Sequence, residues 1–248
     1  MTFPQTREPM LNVPPVMVGT LAVLALIHAI RSVLSQSADV EFLLLFAFIP
    51  ARYDPSLLVG AAWPGGAGAD IWTFITYSLL HGDLMHLGFN AVWLLAFGTP
   101  VARRFGPVRF LAFFAVTAAA GALAHLMTHF GEMIPMVGAS ASISGAMAGS
   151  MRFAFQRGGT LRFGGSDDSY RVPALPLMDA LRDGRVLAFI AVWFGLNLLF
   201  GMGTVSVTGE DQSVAWQAHV GGFVAGLLLF GMFDPVRAYR HEPPSRVA

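Results

Sequence analysis

Cysteine and lysine are both absent from this chain of 248 residues, and charged residues of any kind are scarce. Without cysteine the chain has no disulfide framework, no thiolate nucleophile and no cysteine-based metal site. Charged residues make up 12% of the sequence, whereas soluble domains carry about a quarter, so an ordinary water-soluble enzyme is excluded. The 15 basic residues are balanced by 15 acidic ones, which argues against a nucleic-acid partner because such a partner requires a basic surface.

Long apolar runs take the place of the missing charges. Hydrophobic residues make up 55% of the chain and the mean hydropathy is +0.61. A helix needs about 20 apolar residues to cross the bilayer core, and six segments approach that length. The sequence therefore predicts an all-α membrane protein with six transmembrane helices. The predicted spans are Val13–Leu34, Leu84–Ala102, Val108–Met127, Ala139–Phe155, Val186–Gly203 and Val214–Phe233.

The segments between these spans divide the chain further. Val40–Ile49 is apolar but too short to span, and Pro50 ends it, so we expect a re-entrant or interfacial piece. Gln156–Asp183 is rich in Arg, Gly, Asp and Pro and reads as a loop outside the membrane. We expect three parts: a short N-terminal segment (1–12), a membrane domain (13–234) and a C-terminal tail (235–248). We also expect the first apolar run to be retained as a span and not removed as a signal peptide.

Arginine placement predicts the orientation. With six spans, every arginine except Arg31 and Arg52 falls on one side of the membrane. The positive-inside rule then places both termini in the cytoplasm. All basic residues are arginine, and we identify no import segment. This combination favours a bacterial inner membrane.

Polar residues inside the apolar runs are candidates for function, since a bilayer makes them costly. Counted from the arginine or aspartate that ends each helix, Ser140, Asn90 and His219 lie ~18 to 22 Å above the inner edge, and His86 lies ~25 Å above it. Three separate helices thus bring polar groups to one depth. The polar residues within or beside the runs are His81, His86, Asn90, His125, Ser140, Ser142, Ser144, Asn197 and His219.

Helix faces restrict which of these side chains can meet. Ser140 and Ser144 share a face, whereas Ser142 points about 200° around the helix from Ser140. Small residues on the fourth and sixth spans, including the ridge Ala218, Gly222 and Gly226, permit close contact between the two helices. A serine hydroxyl can then meet the His219 imidazole.

This set of residues suits hydrolysis by a serine nucleophile. Histidine takes the serine proton and returns it to the leaving group. Ser140 lies on the required face of its helix, at the required depth and at the helix start, where free backbone N–H groups can bind an oxyanion. His86 and Asn90 supply two further donors. Because no acid lies at the right depth to orient the histidine, we expect a dyad and not a triad.

Three motifs resemble those of the rhomboid family of intramembrane serine proteases. His81-Gly-Asp-Leu-Met-His86-Leu-Gly-Phe-Asn90 is similar to the family's His-x4-His-x3-Asn signature. Gly138-Ala139-Ser140-Ala141 resembles its Gly-x-Ser-Gly motif, with alanine in place of the last glycine. Ala218-His219-Val-Gly221-Gly222 with Gly226 resembles its histidine-and-glycine motif. The resemblance covers roughly residues 71–234.

The resemblance implies a rhomboid-like six-helix bundle with an embedded first loop between Val40 and Ala69. It implies that Ser140 is the nucleophile and His219 its general base, with His86, Asn90 and the Ser140 amide in the oxyanion hole. The fifth helix and the loop Gly203–Ser213 would correspond to the lateral gate and cap. It also implies transmembrane protein substrates, cleaved near the outer membrane edge without a metal or another cofactor.

Two other functions remain possible from the sequence. A metal-dependent membrane protein could use His81 with His86, or His125 with His129, although no HExxH motif or carboxylate accompanies either pair. A non-catalytic protein could keep the same fold and only bind membrane helices.

Overall fold

The computed structural model describes residues 13–57, 63–160, 167–201 and 215–236, and the regular secondary structure in this part of the chain is helical, with one isolated bridge between Phe48 and Met136. The predicted loop Gly203–Ser213 lies outside these residues, as do residues 1–12 and the tail from residue 237. The helices are α1 (Pro15–Ser32), α2 (Gln36–Phe46), α3 (Gly66–Thr76), α4 (Leu84–Trp93), α5 (Thr99–Phe105), α6 (Pro107–Thr128), α7 (Ser140–Ala154), α8 (Leu177–Ala180), α9 (Gly184–Gly201) and α10 (Trp216–Phe233).

Four helices of the described residues are long and apolar enough to cross a membrane. They are Pro15–Ser32, Leu84–Phe105, Pro107–Thr128 and Trp216–Phe233, of which the second joins α4 to α5 through a π-helical segment at Leu94–Gly98. The other two predicted spans coincide with α7, which has 15 residues, and with the apolar helix α9. The chain is thus an all-helical membrane protein, and the count of six spans stays a prediction.

Helix α7 lies at the centre of the fold. Every residue from Ala141 to Ala154 is buried, so its neighbours enclose it almost completely. Helix α10 approaches it through two glycines: a methyl group on Gly222 would overlap the Ala141 carbonyl, and one on Gly226 would overlap the Gly145 carbonyl. This close approach is the one that the small residues of the two segments predict.

The segment between α1 and α4 packs against the bundle through polar contacts. The buried Arg52 side chain donates to the carbonyl oxygens of Leu44 and Pro64, and its guanidinium lies 3.5 Å from an Asp70 carboxylate oxygen. The bridge between Phe48 and Met136 joins this segment to the loop that precedes α7. Whether the segment is embedded in a bilayer stays a prediction.

One end of the bundle is held by buried arginines. Arg104 at the end of α5 forms two hydrogen bonds of 2.8 Å to Asp234, the residue that follows α10. Arg152 at the end of α7 donates to the carbonyl oxygens of Leu175 and Leu227. The ends of α5, α7 and α10 therefore meet at one side, where the sequence places its arginines together.

Candidate active site

Ser140 and His219 meet at the start of the central helix. The Ser140 Oγ lies 2.7 Å from His219 Nε2, although the two residues are 79 positions apart in the chain. Ser140 is the first residue of α7, and His219 lies in the first turn of α10. Both residues are half-buried.

The loop before α7 presents Ser140 by a backbone turn that needs glycine. Gly138 has φ +122°, a conformation that L side chains rarely adopt. Its amide donates to the Tyr77 carbonyl oxygen at 3.0 Å, and the Tyr77 hydroxyl donates to the Ala118 carbonyl oxygen at 2.9 Å. Tyr77 thereby ties the start of α7 to α6.

His86 lies beside this turn. A Cβ on Gly138 would stand 2.7 Å from His86 Nε2 and 3.8 Å from Ser140 Oγ, so the imidazole and the hydroxyl border the same small space. The Gly82 amide points at His86 Nδ1 from 3.5 Å. This long contact favours the tautomer in which Nδ1 accepts and Nε2 carries the hydrogen. Nε2–H can then donate toward the space beside Ser140.

Asn90 lies one turn after His86 on α4 and is buried. Its Nδ2 donates to the His86 carbonyl oxygen at 2.9 Å, which uses one of the two hydrogens of the amide group. Asp83 caps the start of the same helix by accepting from the His86 amide at 2.8 Å. Helix α4 therefore presents His86 and Asn90 on one face, as their spacing predicts.

Two other serines of α7, Ser142 and Ser144, are buried inside the bundle. Ser142 Oγ donates to the Phe114 carbonyl oxygen on α6 at 2.8 Å, so its hydroxyl points away from His219, as the helical geometry predicts. Ser144 lies one turn further into α7 and is 4% exposed. Ser140 is the serine of this helix for which the structure records a hydrogen bond with His219.

A contact that the sequence did not predict involves Asn197. Its Oδ1 lies 2.5 Å from His219 Nδ1, on the opposite side of the imidazole from Ser140. Asn197 is visible in the sequence as a polar residue in an apolar run, but its partner is not. The one signal in the sequence was a polar side chain within the apolar helix α9. Its partner could not be predicted, because spacing within one helix does not reveal which neighbouring helix a side chain faces.

Three other histidines of the described residues form ring contacts with a neighbouring imidazole. His125 and His129 stack at the end of α6 with ring centroids 4.1 Å apart, and His81 is buried beside His86 at a centroid distance of 5.1 Å. Within residues 13–57, 63–160, 167–201 and 215–236, no three His, Cys, Asp or Glu side chains are grouped so that they could hold a metal ion.

Comparison with known proteins identifies the family. The Rhomboid domain family matches residues 68–234, which is more than half of the chain. The chain belongs to the rhomboid family. It is similar to the Rhomboid protease GlpG of Enterobacter sp., with 26% identity over 190 residues that cover 75% of this chain and 58% of that protein.

A second rhomboid relative gives the same result. The Rhomboid protease GlpG of Pectobacterium atrosepticum is 26% identical over 202 residues, which cover 79% of this chain and 61% of that protein. This rhomboid chain thus spans less than two thirds of the length of both relatives. The predicted family membership is confirmed.

The contact between α7 and α10 can be tested through its glycines. We expect Gly222→Ala to separate the helices, because the added methyl group meets the Ala141 backbone, and to destabilise the protein by about 1 to 3 kcal/mol. Gly231→Ala on the same helix is the control, since a Cβ there meets nothing within 4 Å. Thermal unfolding in detergent measures both variants, and equal midpoints would show that the two helices have room to spare.

Proposed function

We propose that this rhomboid protein is a serine endopeptidase that cleaves transmembrane segments near the outer membrane edge, with Ser140 and His219 as its catalytic dyad. The observation that supports this most directly is the 2.7 Å contact between Ser140 Oγ and His219 Nε2. A nucleophile and its base within hydrogen-bond reach are the minimum that acyl transfer requires.

The dyad suffices for both halves of peptide hydrolysis. His219 Nε2 accepts the hydroxyl proton while Ser140 Oγ attacks the scissile carbonyl carbon, and the imidazolium then donates that proton to the leaving nitrogen. In the second half, water loses a proton to Nε2 and attacks the acyl carbon. Ser140 Oγ leaves and takes the proton back, which restores the enzyme. No cofactor or metal takes part.

We assign three donors to the oxyanion: the Ser140 amide, His86 and Asn90. The first amides of a helix have no carbonyl partner within it, so the Ser140 amide is free to donate at the positive end of α7. His86 Nε2 borders the space next to Ser140 Oγ, and Asn90 keeps a second amide hydrogen after its bond to the His86 carbonyl oxygen. Donors held in place before the reaction stabilise the negative charge without reorganisation.

The length of α7 supports cleavage within the membrane. Its 15 residues rise by ~22 Å, which is less than the ~30 Å of the bilayer core. With Arg152 near the inner edge, Ser140 lies below the outer surface, at a depth reached by water through an outward-facing opening. A substrate helix must unwind there to expose its peptide bond. We further propose that both termini are cytoplasmic and that the membrane is a bacterial inner membrane.

Cleavage of a reporter transmembrane substrate tests the proposed function. We expect the purified wild type to cleave it in detergent or liposomes, and His219→Ala and Ser140→Ala to lose nearly all turnover while remaining folded. Turnover should persist with a chelator. Loss of activity with the chelator would favour the metal-dependent alternative, and binding without cleavage by the wild type would favour the non-catalytic one.

The choice among the three serines is tested separately with a fluorophosphonate probe, which labels an activated serine. We expect labelling of the wild type, Ser142→Ala and Ser144→Ala, and none of Ser140→Ala. The reason is that Ser142 donates to the α6 backbone and Ser144 lies one turn deeper. Labelling that survives in Ser140→Ala but disappears in Ser144→Ala would place the nucleophile one turn later.

The oxyanion donors are tested by truncation. Removing one such donor typically lowers turnover by ~10² to 10³-fold, so we expect His86→Ala and Asn90→Ala to lower kcat with little change in KM. Gly88→Ala, between them on α4, is a control because a Cβ there meets nothing within 4 Å. A variant of His86 or Asn90 with the kcat of the wild type would remove that residue from the oxyanion hole.

A further inference from the structure

Asn197 is a polar side chain in an apolar helix, and the proposed reaction leaves it without a role. We infer that Asn197 is a positioning residue that holds His219 in the tautomer with hydrogen on Nδ1, so that Nε2 is free to accept the Ser140 proton. This inference rests on the proposed dyad and adds a third residue to it. It assigns to α9 a direct part in preparing the general base.

The orientation of the Asn197 amide follows from its second partner. Nδ2 lies 2.8 Å from the Trp193 carbonyl oxygen, and a carbonyl oxygen only accepts. The amide nitrogen must therefore face Trp193, which leaves Oδ1 facing His219. The reversed amide would place two acceptors against each other, so the usual ambiguity between the oxygen and nitrogen of an asparagine is resolved here.

The tautomer of His219 follows in turn. Asn197 Oδ1 accepts only, and it lies 2.5 Å from His219 Nδ1, so Nδ1 must carry a hydrogen. A neutral imidazole carries one hydrogen, and Nε2 is then a lone-pair acceptor. That nitrogen is the one 2.7 Å from Ser140 Oγ. The same hydrogen bond becomes charge-assisted when His219 takes the proton.

Packing one turn away keeps this hydrogen bond in register. Trp193 precedes Asn197 by four residues on α9, and Phe223 follows His219 by four on α10. Their rings stack with centroids 4.2 Å apart and an interplanar angle of 20°. Residues four apart share a helix face, so the two helices meet along matched faces. The aromatic pair fixes their separation where the polar pair needs it.

Kinetics of two variants in detergent test the role. We expect Asn197→Leu, which keeps the volume but removes the acceptor, to lower kcat roughly 10²-fold, the lower end of what general-base catalysis contributes, with KM within about twofold. Leu196→Ala is the control on α9, since that side chain is 47% exposed and no contact with His219 is recorded for it.

Each kinetic outcome either supports or overturns the role of Asn197. A kcat of Asn197→Leu equal to that of the wild type would overturn the inference, as would an effect on KM or thermal unfolding alone. Cleavage by the wild type and its loss in Ser140→Ala report on the proposed function independently of these results.

A spectroscopic measurement reads the tautomer without reference to turnover. In the protein labelled with nitrogen-15 histidine, the His219 signals are assigned by their loss in His219→Ala. We expect a protonated Nδ1 and an unprotonated Nε2 in the neutral wild type, and a shift toward protonated Nε2 in Asn197→Leu. A wild-type imidazole with its hydrogen on Nε2, or an unchanged tautomer in Asn197→Leu, would overturn the role of Asn197 even if the protease activity is established.

Discussion

The close approach of α7 and α10 is the constraint on which the rest of the site depends. Gly222 and Gly226 let the α10 backbone lie directly against the carbonyl oxygens of Ala141 and Gly145. No side chain larger than hydrogen fits at either contact. Because Ser140 starts α7 and His219 lies one turn before Gly222, this spacing sets the distance between hydroxyl and imidazole. The packing of the two backbones therefore also brings the hydroxyl and the imidazole together.

Two buried side chains of this fold form hydrogen bonds from one segment to another. Lipid tails offer no hydrogen bonds, and an unpaired polar group in an apolar interior costs free energy. Tyr77 accordingly donates to the Ala118 carbonyl oxygen on α6, and Ser142 donates to the Phe114 carbonyl oxygen on the same helix. These bonds fix how α6, α7 and the segment before α4 sit against one another. They hold the loop at Gly138, and thus Ser140, in one conformation.

The His219 imidazole links three helices. Ser140 of α7 contacts one ring nitrogen and Asn197 of α9 contacts the other. A neutral amide in this position offers an acceptor without adding a negative charge to an apolar region, where an unpaired carboxylate would be costly. The histidine can therefore be held in place at little electrostatic cost. The sequence places no acidic residue at this depth of the membrane, but the imidazole still has a partner that can orient it.

The sequence by itself predicted the family, the all-helical membrane class and the contact between Ser140 and His219. These predictions depend on local patterns, which helical periodicity is enough to interpret. The patterns are the apolar runs, the placement of the arginines and the motifs around His86, Ser140 and His219. Only the tertiary structure decided that Asn197 faces His219. It also decided that Arg52 anchors the segment between α1 and α4, and that Asn90 donates one amide hydrogen to a carbonyl oxygen of its own helix. Those contacts depend on how helices rotate and pack against each other, and a one-residue rotation of about 100° would give each side chain a different neighbour without changing any local pattern.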